Sequence, residues 1–208
     1  MTVNGANRIS DVKAVVLSGG KSRRMGSDKL LLPRGGKTFL EYAVQTFSRR
    51  FEHVAISVSD INRYADRDID AERIADIYRG RGPLGGLHAA LRSIARDSGM
   101  RGVFLIAADL PFAGIDAASV IIDQGRDCGV CVPVDEHGRY EPLFAYYAKT
   151  VLPNVEETLN AGVNKVVAFY PNVTVQTLPA SALGTRDPHR LFFNINYPED
   201  YDRFKSML

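Results

Sequence analysis

Residues 12–29 read Val-Lys-Ala-Val-Val-Leu-Ser-Gly-Gly-Lys-Ser-Arg-Arg-Met-Gly-Ser-Asp-Lys. The first six form a short β-branched run, and the glycine pair Gly19-Gly20 closes it, the pattern of a strand entering a tight turn. Working outward, apolar strand-like runs at 54–58, 73–77, 103–107 and 130–134 alternate with segments of helical spacing at 84–96 and 116–124. Thr38-Phe-Leu-Glu41 is a capping-box pattern that predicts a helix running to about Arg50. Further strands are predicted at 140–147, 173–177 and 191–195, a helix at 150–161, and a last helix after Pro198. Strand–helix alternation with short connections predicts an α/β fold, three layers with a mostly parallel sheet covered on both faces. After Cys131 two strand-like runs follow one another, so the central sheet is expected to be mixed. Residues 1–10 read as a loose leader, and 11–208 as a single domain.

Bulk properties narrow the class. A chain of 208 residues is long enough to bury roughly 70% of its unfolded surface without staples. The formal net charge of +2 is too small to argue for a nucleic-acid partner. No apolar run reaches the ~20 residues of a membrane span, and the polar start lacks the apolar core of a signal peptide. The expected compartment is the cytoplasm. The two cysteines, Cys128 and Cys131, lie in a predicted strand, where positions three apart face opposite sides. Two thiols cannot complete a four-ligand metal site, so both are expected to pack as small hydrophobes.

In such sheets ligands bind beyond the carboxyl ends of the strands. That rule selects residues 18–29, 57–60, 76–86, 109–111 and 194–196. In the first of these, Gly19, Gly20 and Gly26 let backbone N–H groups converge on an anion. Lys21, Arg23, Arg24 and Lys29 add four positive charges within nine residues, suited to phosphate oxygens. The loop matches neither a Walker A sequence nor G-x-G-x-x-G. Asp109 leaves the hydrophobic run Val103-Phe-Leu-Ile-Ala and is placed to offer a carboxylate to Mg²⁺, which keeps its remaining sites for water and phosphate. Asp76, at another strand end, offers an acceptor to the N1–H and amine of guanine or to ribose hydroxyls. Asn194 and Asn196 alternate with Phe193 and Ile195, so both amides would share one face. Asn196, with Pro198 at the helix start and Glu199 at position three, also reads as a helix N-cap.

The loop resembles the signature L-[AS]-G-G-x-S-x-R-M-G-x-D-K of the molybdenum-cofactor guanylyltransferases, the MobA-like nucleotidyltransferase family. Leu17-Ser-Gly-Gly, Ser22, Arg24-Met-Gly26 and Asp28-Lys29 fit it. Gly82-Pro-Leu-Gly-Gly86, Ala108-Asp-Leu-Pro111, Glu141-Pro-Leu143 and Phe193-Asn-Ile-Asn-Tyr-Pro-Glu-Asp200 resemble later segments of the family in the same order. The resemblance implies a three-layer Rossmann-like nucleotidyltransferase fold. It implies transfer of GMP from GTP to the phosphate of the molybdopterin cofactor, with release of pyrophosphate. It implies catalytic roles for Lys29, Arg24 and Asp109, with Mg²⁺ on Asp109. Nucleotide contacts would come from Leu17, Ser18, Gly19, Gly20, Arg24, Lys29, Ser57, Asp76, Gly82 and Asp109, and second-substrate contacts from Asn194 and Asn196. Further proteins of molybdenum-cofactor biosynthesis are implied as partners, with no nucleic acid and no membrane. The family often carries an asparagine at the end of the second strand, where this chain has Ser57 and Ser59.

Other readings stay open. A relative using CTP, or a corrinoid or phospholactate acceptor, would share most of these motifs; the Gly19-Gly20 pair favours guanylyl over cytidylyl transfer. Gly80-Arg-Gly-Pro-Leu-Gly85 matches G-x-G-x-x-G, which invites a dehydrogenase reading, but Pro83 occupies the turn and the basic loop would be left unexplained. A non-catalytic nucleotide-binding module is the third alternative. His88, early in a predicted helix, reads as a helix-face residue rather than a base.

Overall fold

The structure is a computed structural model and describes residues 8–19, 28–185 and 187–208. In chain order its elements are β1 (Val12–Leu17), β2 (Pro33–Arg34), β3 (Lys37–Thr38), α1 (Phe39–Ser48), β4 (Val54–Val58), β5 (Glu72–Ala75), α2 (Gly82–Ile94) and β6 (Gly102–Ala107). There follow α3 (Ile115–Gln124), β7 (Val130–Val134), β8 (Phe144–Ala148), α4 (Leu152–Asn160), β9 (Val175–Pro179), α5 (Pro188–Leu191) and α6 (Pro198–Ser206).

Seven strands form one sheet in the order β5-β4-β1-β6-β8-β7-β9. β5, β4, β1 and β6 run parallel. β8 lies antiparallel between β6 and β7, and β9 is parallel to β7. The sheet is thus mostly parallel and mixed, and the antiparallel step falls after Cys131, as the doubled strand pattern predicted. Period-2 alternation sorts each strand between two apolar layers. Val12, Ala14, Val16, Phe104 and Ile106 meet α1 and α3 on one face. Val15, Leu17, Val103 and Leu105 meet α2 and α4 on the other. The result is a three-layer α/β, Rossmann-like fold.

Local signals explain the element ends. Thr38 Oγ1 accepts from the Glu41 amide at 3.2 Å while Glu41 Oε2 accepts from the Thr38 amide at 2.8 Å, completing the expected capping box. β2 and β3 form a small hairpin that the sequence did not announce. Its turn uses Gly35 and Gly36 at φ 56° and 81°, a region that glycine enters without a Cβ clash. Ile9, inside the expected leader, bridges Phe51 and exchanges backbone hydrogen bonds with Arg50 and Glu52.

Four expectations need correction. The segment 191–195 is not a strand: α5 ends at Leu191, and in the chain beyond the Ile195 amide donates to the Asp109 carbonyl at 3.1 Å. The alternation there reflects Ile195 packing into a small cluster with Phe39 and Phe204, not a ladder. The run at 140–147 becomes strand only from Phe144, because Pro142 has no N–H to give and Tyr140 merely bridges Val134. The third strand ends at Ala75, so Ile77 stands exposed. Cys128 precedes β7, and its thiol points back to the Gly125 and Val130 carbonyls. Burial pushes the Cys131 thiol up to about 12 and raises that of Cys128, which disfavours the reactive thiolate. Among the described residues no helix is long and apolar enough to cross a membrane.

Candidate active site

The carboxyl ends of β5, β4, β1 and β6 line up along one edge of the sheet, carrying Asp76, Ser57, Ser18 and Asp109 in that order. Three strand steps separate the outer pair, on the order of 14 Å, so the two carboxylates serve different parts of any one ligand.

At the β6 end, Asp109 leaves a fully buried strand. Lys29 Nζ donates to Asp109 Oδ2 at 2.5 Å, to the Ile195 carbonyl at 2.8 Å and to Asn196 Oδ1 at 3.1 Å. The expected anion-handling lysine, the expected metal-binding aspartate and one of the two expected second-substrate asparagines therefore meet at one point. Asn196 is not the N-cap of α6; instead Asp200 accepts from the backbone amides of Asn196 and Tyr197 at 2.8 and 2.9 Å, and the Asn196 side chain is left for Lys29. Asn194 is half-buried, and its Oδ1 is buried without a hydrogen-bond partner among the described residues. The hairpin β2–β3 braces this corner: Arg34 stacks 3.5 Å from the Tyr42 ring centroid and donates to the Pro111 carbonyl.

The donor set around the Lys29 ammonium is one carboxylate, one carbonyl and one amide oxygen. Hard oxygens converging on a cation are what Mg²⁺ uses, so these groups fit a divalent ion. Among the described residues no three His, Cys, Asp or Glu side chains cluster as a ready metal site.

At the β4 and β5 ends, Ser57 Oγ donates to Asp76 Oδ1 at 3.1 Å, and Ser18 Oγ donates to the Ser57 carbonyl at 2.6 Å. Burial raises the Asp76 pKa, partly offset by the Ser57 hydroxyl. Ser18 and Ser57 are almost fully buried, so each acts through its neighbours. Leu17 is also buried. Helix α2 comes close here: a Cβ on Gly86 would lie 2.8 Å from Leu17 Cδ2 and 2.9 Å from Ser57 Oγ. Gly82 opens α2 at φ 60°, and Gly19 has open space above it. The G-x-G-x-x-G segment thus forms the approach to a helix packed on β1 and β4. Gly20 and Arg24, with the rest of 20–27, lie outside the described residues. His88 is buried, its ring 4.8 Å from that of Tyr78 and its Nε2 3.2 Å from Glu156.

Sequence reasoning assigned no role to three residues that the fold brings in. Glu141 starts the approach to β8, which pairs antiparallel with β6, and its carboxyl comes within electrostatic reach of Asp109. Burial, then the charges of Asp109 and Asp135, push it up to about 7 against the Leu143 amide. The only signal was the Glu141-Pro-Leu143 match. Beside it a cavity of about 560 Å³ is lined in part by Asp135, Arg139, Tyr140, Ser181 and Phe192. Arg63 and Tyr64 both bond Asp28, and no pattern in the sequence marks them.

Comparison with known proteins agrees with this architecture. The MobA-like NTP transferase domain matches residues 14–175. A probable molybdenum cofactor guanylyltransferase of Pelotomaculum thermopropionicum is 34% identical over 195 residues, covering 93% of this chain and 91% of that one. A molybdenum cofactor guanylyltransferase of Syntrophotalea carbinolica is 27% identical, covering 92% and 90%. The crystal structure of molybdopterin-guanine dinucleotide biosynthesis protein A from Archaeoglobus fulgidus superposes with a TM-score of 0.80 at 27% identity, over 94% of this chain and 98% of that one. The domain match spans β1 through β8, the strand ends that carry Asp76, Ser57 and Asp109, and the loop that ends in Lys29; the chain belongs to the MobA-like NTP transferase family.

Proposed function

We propose that this protein transfers GMP from GTP to the terminal phosphate of the molybdopterin cofactor and releases pyrophosphate. The observation that carries the reading is the meeting of Lys29, Asp109 and Asn196 at the end of β6. The names of the relatives support the acceptor.

An oxygen of the acceptor phosphate forms a bond to the α-phosphorus, and the bond from that phosphorus to the bridging oxygen of the leaving pyrophosphate breaks. The attacking oxygen is already anionic near neutral pH, so no general base is required. The protein supplies alignment and charge neutralisation. Lys29 and Arg24 stabilise charge developing on the α-phosphate and pyrophosphate, helped by loop N–H groups of Gly19 and Gly20. Asp109, with the Asn196 and Ile195 oxygens, would hold Mg²⁺ in place of the Lys29 ammonium, which would then address phosphate; the ion when bound would neutralise phosphate charge. Asp76 accepts from the guanine edge, with Ser57 orienting it and Leu17, Ser18 and Gly82 shaping the approach. The Glu141 cavity takes the pterin body, and Asn194 and Asn196 are assigned to the second substrate. The reaction takes place in the cytoplasm.

Pyrophosphate release is the test, run with each of the four NTPs, with and without molybdopterin cofactor, in Mg²⁺. Release confined to GTP and dependent on the cofactor is expected. Preference for CTP removes the guanylyl assignment, and GTP binding without release leaves only a binding module.

A further inference from the structure

Lys29 has to be presented, and the residue before it shows how. Both oxygens of the Asp28 carboxylate are taken. Oδ1 accepts from the Leu30 amide at 3.1 Å and caps the tight turn Lys29–Leu31. Oδ2 accepts from the Tyr64 hydroxyl at 2.6 Å and from Arg63 Nη2 at 2.8 Å. Leu30 is buried and pins the far side of the turn. The turn therefore hangs from two residues of the loop between β4 and β5, and its next side chain is the one that reaches Asp109.

Tyr64 is unusual in its own backbone. It is the one non-glycine residue at positive φ among those described, at 60°, a region where a bulky side chain is rare. Such conformations persist where surroundings over-determine them, and they cluster at functional sites. Here the Arg73 guanidinium holds the Tyr64 carbonyl at 2.9 Å, the ring is 94% buried by its 6% exposure, and Arg63 lies 4.9 Å from the ring centroid. The strained backbone aims the hydroxyl at Asp28.

We propose that Tyr64 and Arg63 are positioning residues for nucleotidyl transfer: they clamp Asp28, orient the turn at Lys29, and occupy the Asp28 charge so that Lys29 is free to address Asp109 and phosphate. The proposal rests on the phosphate-handling role given to Lys29. Protonation behaviour agrees with it. Burial works to raise the Asp28 pKa, yet the bonds from Tyr64, Arg63 and the Leu30 amide outweigh it and hold the carboxyl below its ordinary value. Burial and the Asp28 bond raise the Tyr64 phenol, so it stays a donor.

The experiment is a double-mutant cycle on pyrophosphate release from GTP in the presence of molybdopterin cofactor and Mg²⁺, with Tyr64→Phe, Lys29→Ala and the pair, and Arg63→Gln as a second variant, thermal midpoints being measured for each. Tyr64→Phe is expected to lower kcat about tenfold with KM for GTP within about twofold. The pair is expected to be no slower than Lys29→Ala alone, since the clamp acts through Lys29. Unchanged kcat in both Tyr64→Phe and Arg63→Gln, or losses that multiply in the pair, overturns the proposal. Full turnover by Lys29→Ala instead refutes the role given to Lys29, and the clamp is then read without turnover. Amide hydrogen exchange at Leu30, Leu31 and Leu32 should rise about tenfold in Tyr64→Phe while the β1 and β6 amides hold. Unchanged exchange there refutes the clamp itself.

Discussion

The two halves of the sheet handle charge in opposite ways. In the parallel half, β5-β4-β1-β6, the polar groups at the strand ends are answered by partners: Lys29 on Asp109, Ser57 on Asp76, Arg63 on Asp28. In the mixed half, β8-β7-β9, Glu141 faces other acids and is pushed up to about 7. In the parallel half these carboxylates are paired within the protein. In the other half Glu141 shares its cavity with the Asp135–Arg139 ion pair.

Breaking the charged corner should have the largest effect. Lys29→Ala and Asp109→Ala are each expected to lower kcat by about 10²–10³, near 3 kcal/mol, with the far-ultraviolet circular dichroism unchanged. Near-normal rates for Asp109→Ala in Mg²⁺ would remove the metal assignment. On the base side, Asp76→Asn should raise KM for GTP about 10- to 100-fold, because one half-buried acceptor becomes a donor facing donors; a matching rise for CTP would show that Asp76 does not read the base. Gly86→Ala forces a methyl against Leu17 and Ser57 and should cost about 1–3 kcal/mol, read as a lower midpoint in urea.

The smallest effect sharpens the contrast from the other half. Glu141 has a folded pKa raised from an ordinary 4.5 to about 7. Between those values the folded state holds a proton that the unfolded state has lost, so stability falls as pH rises through that window and stays lower above it. Glu141→Gln should remove that loss and stabilise the metal-free protein at pH 8 by about 1–2 kcal/mol relative to its effect at pH 4, after allowance for residual solvent access. Equal urea midpoint shifts at both pH values would contradict it.

Much of the parallel half was legible in sequence because its signals are local. Val12–Leu17, Val54–Val58 and Gly102–Ala107 carry their own apolar runs, and Thr38 with Glu41 declares a helix start. The rule that ligands gather at carboxyl strand ends then placed Asp76 and Asp109 on one edge. What escaped is what depends on distant partners. Phe193 and Ile195 alternate like a strand, but no neighbour offers a ladder. Asn196 is drawn off its cap by Lys29, 167 positions away. Glu141 reaches Asp109 only because β8 pairs with β6. Tyr64 gives no sign at all, since a left-handed tyrosine is dictated by Arg73 and Asp28 and not by its neighbours in sequence.

The antiparallel placement of β8 has a consequence for how such a protein can change. The connection 135–143 leaves the carboxyl end of β7 and enters the amino end of β8, so both its ends sit on the ligand edge of the sheet. It is a compact excursion, closed by the Val134–Tyr140 bridge and turned at Gly138 with φ 74°. Its tip, residues 136–139, lies outside every strand, whereas Leu143 accepts from the Ala107 amide at 2.7 Å and belongs to the frame. Under the proposed function, change confined to that tip would alter the acceptor side of the ligand edge while β1, β4, β5 and β6 kept their register.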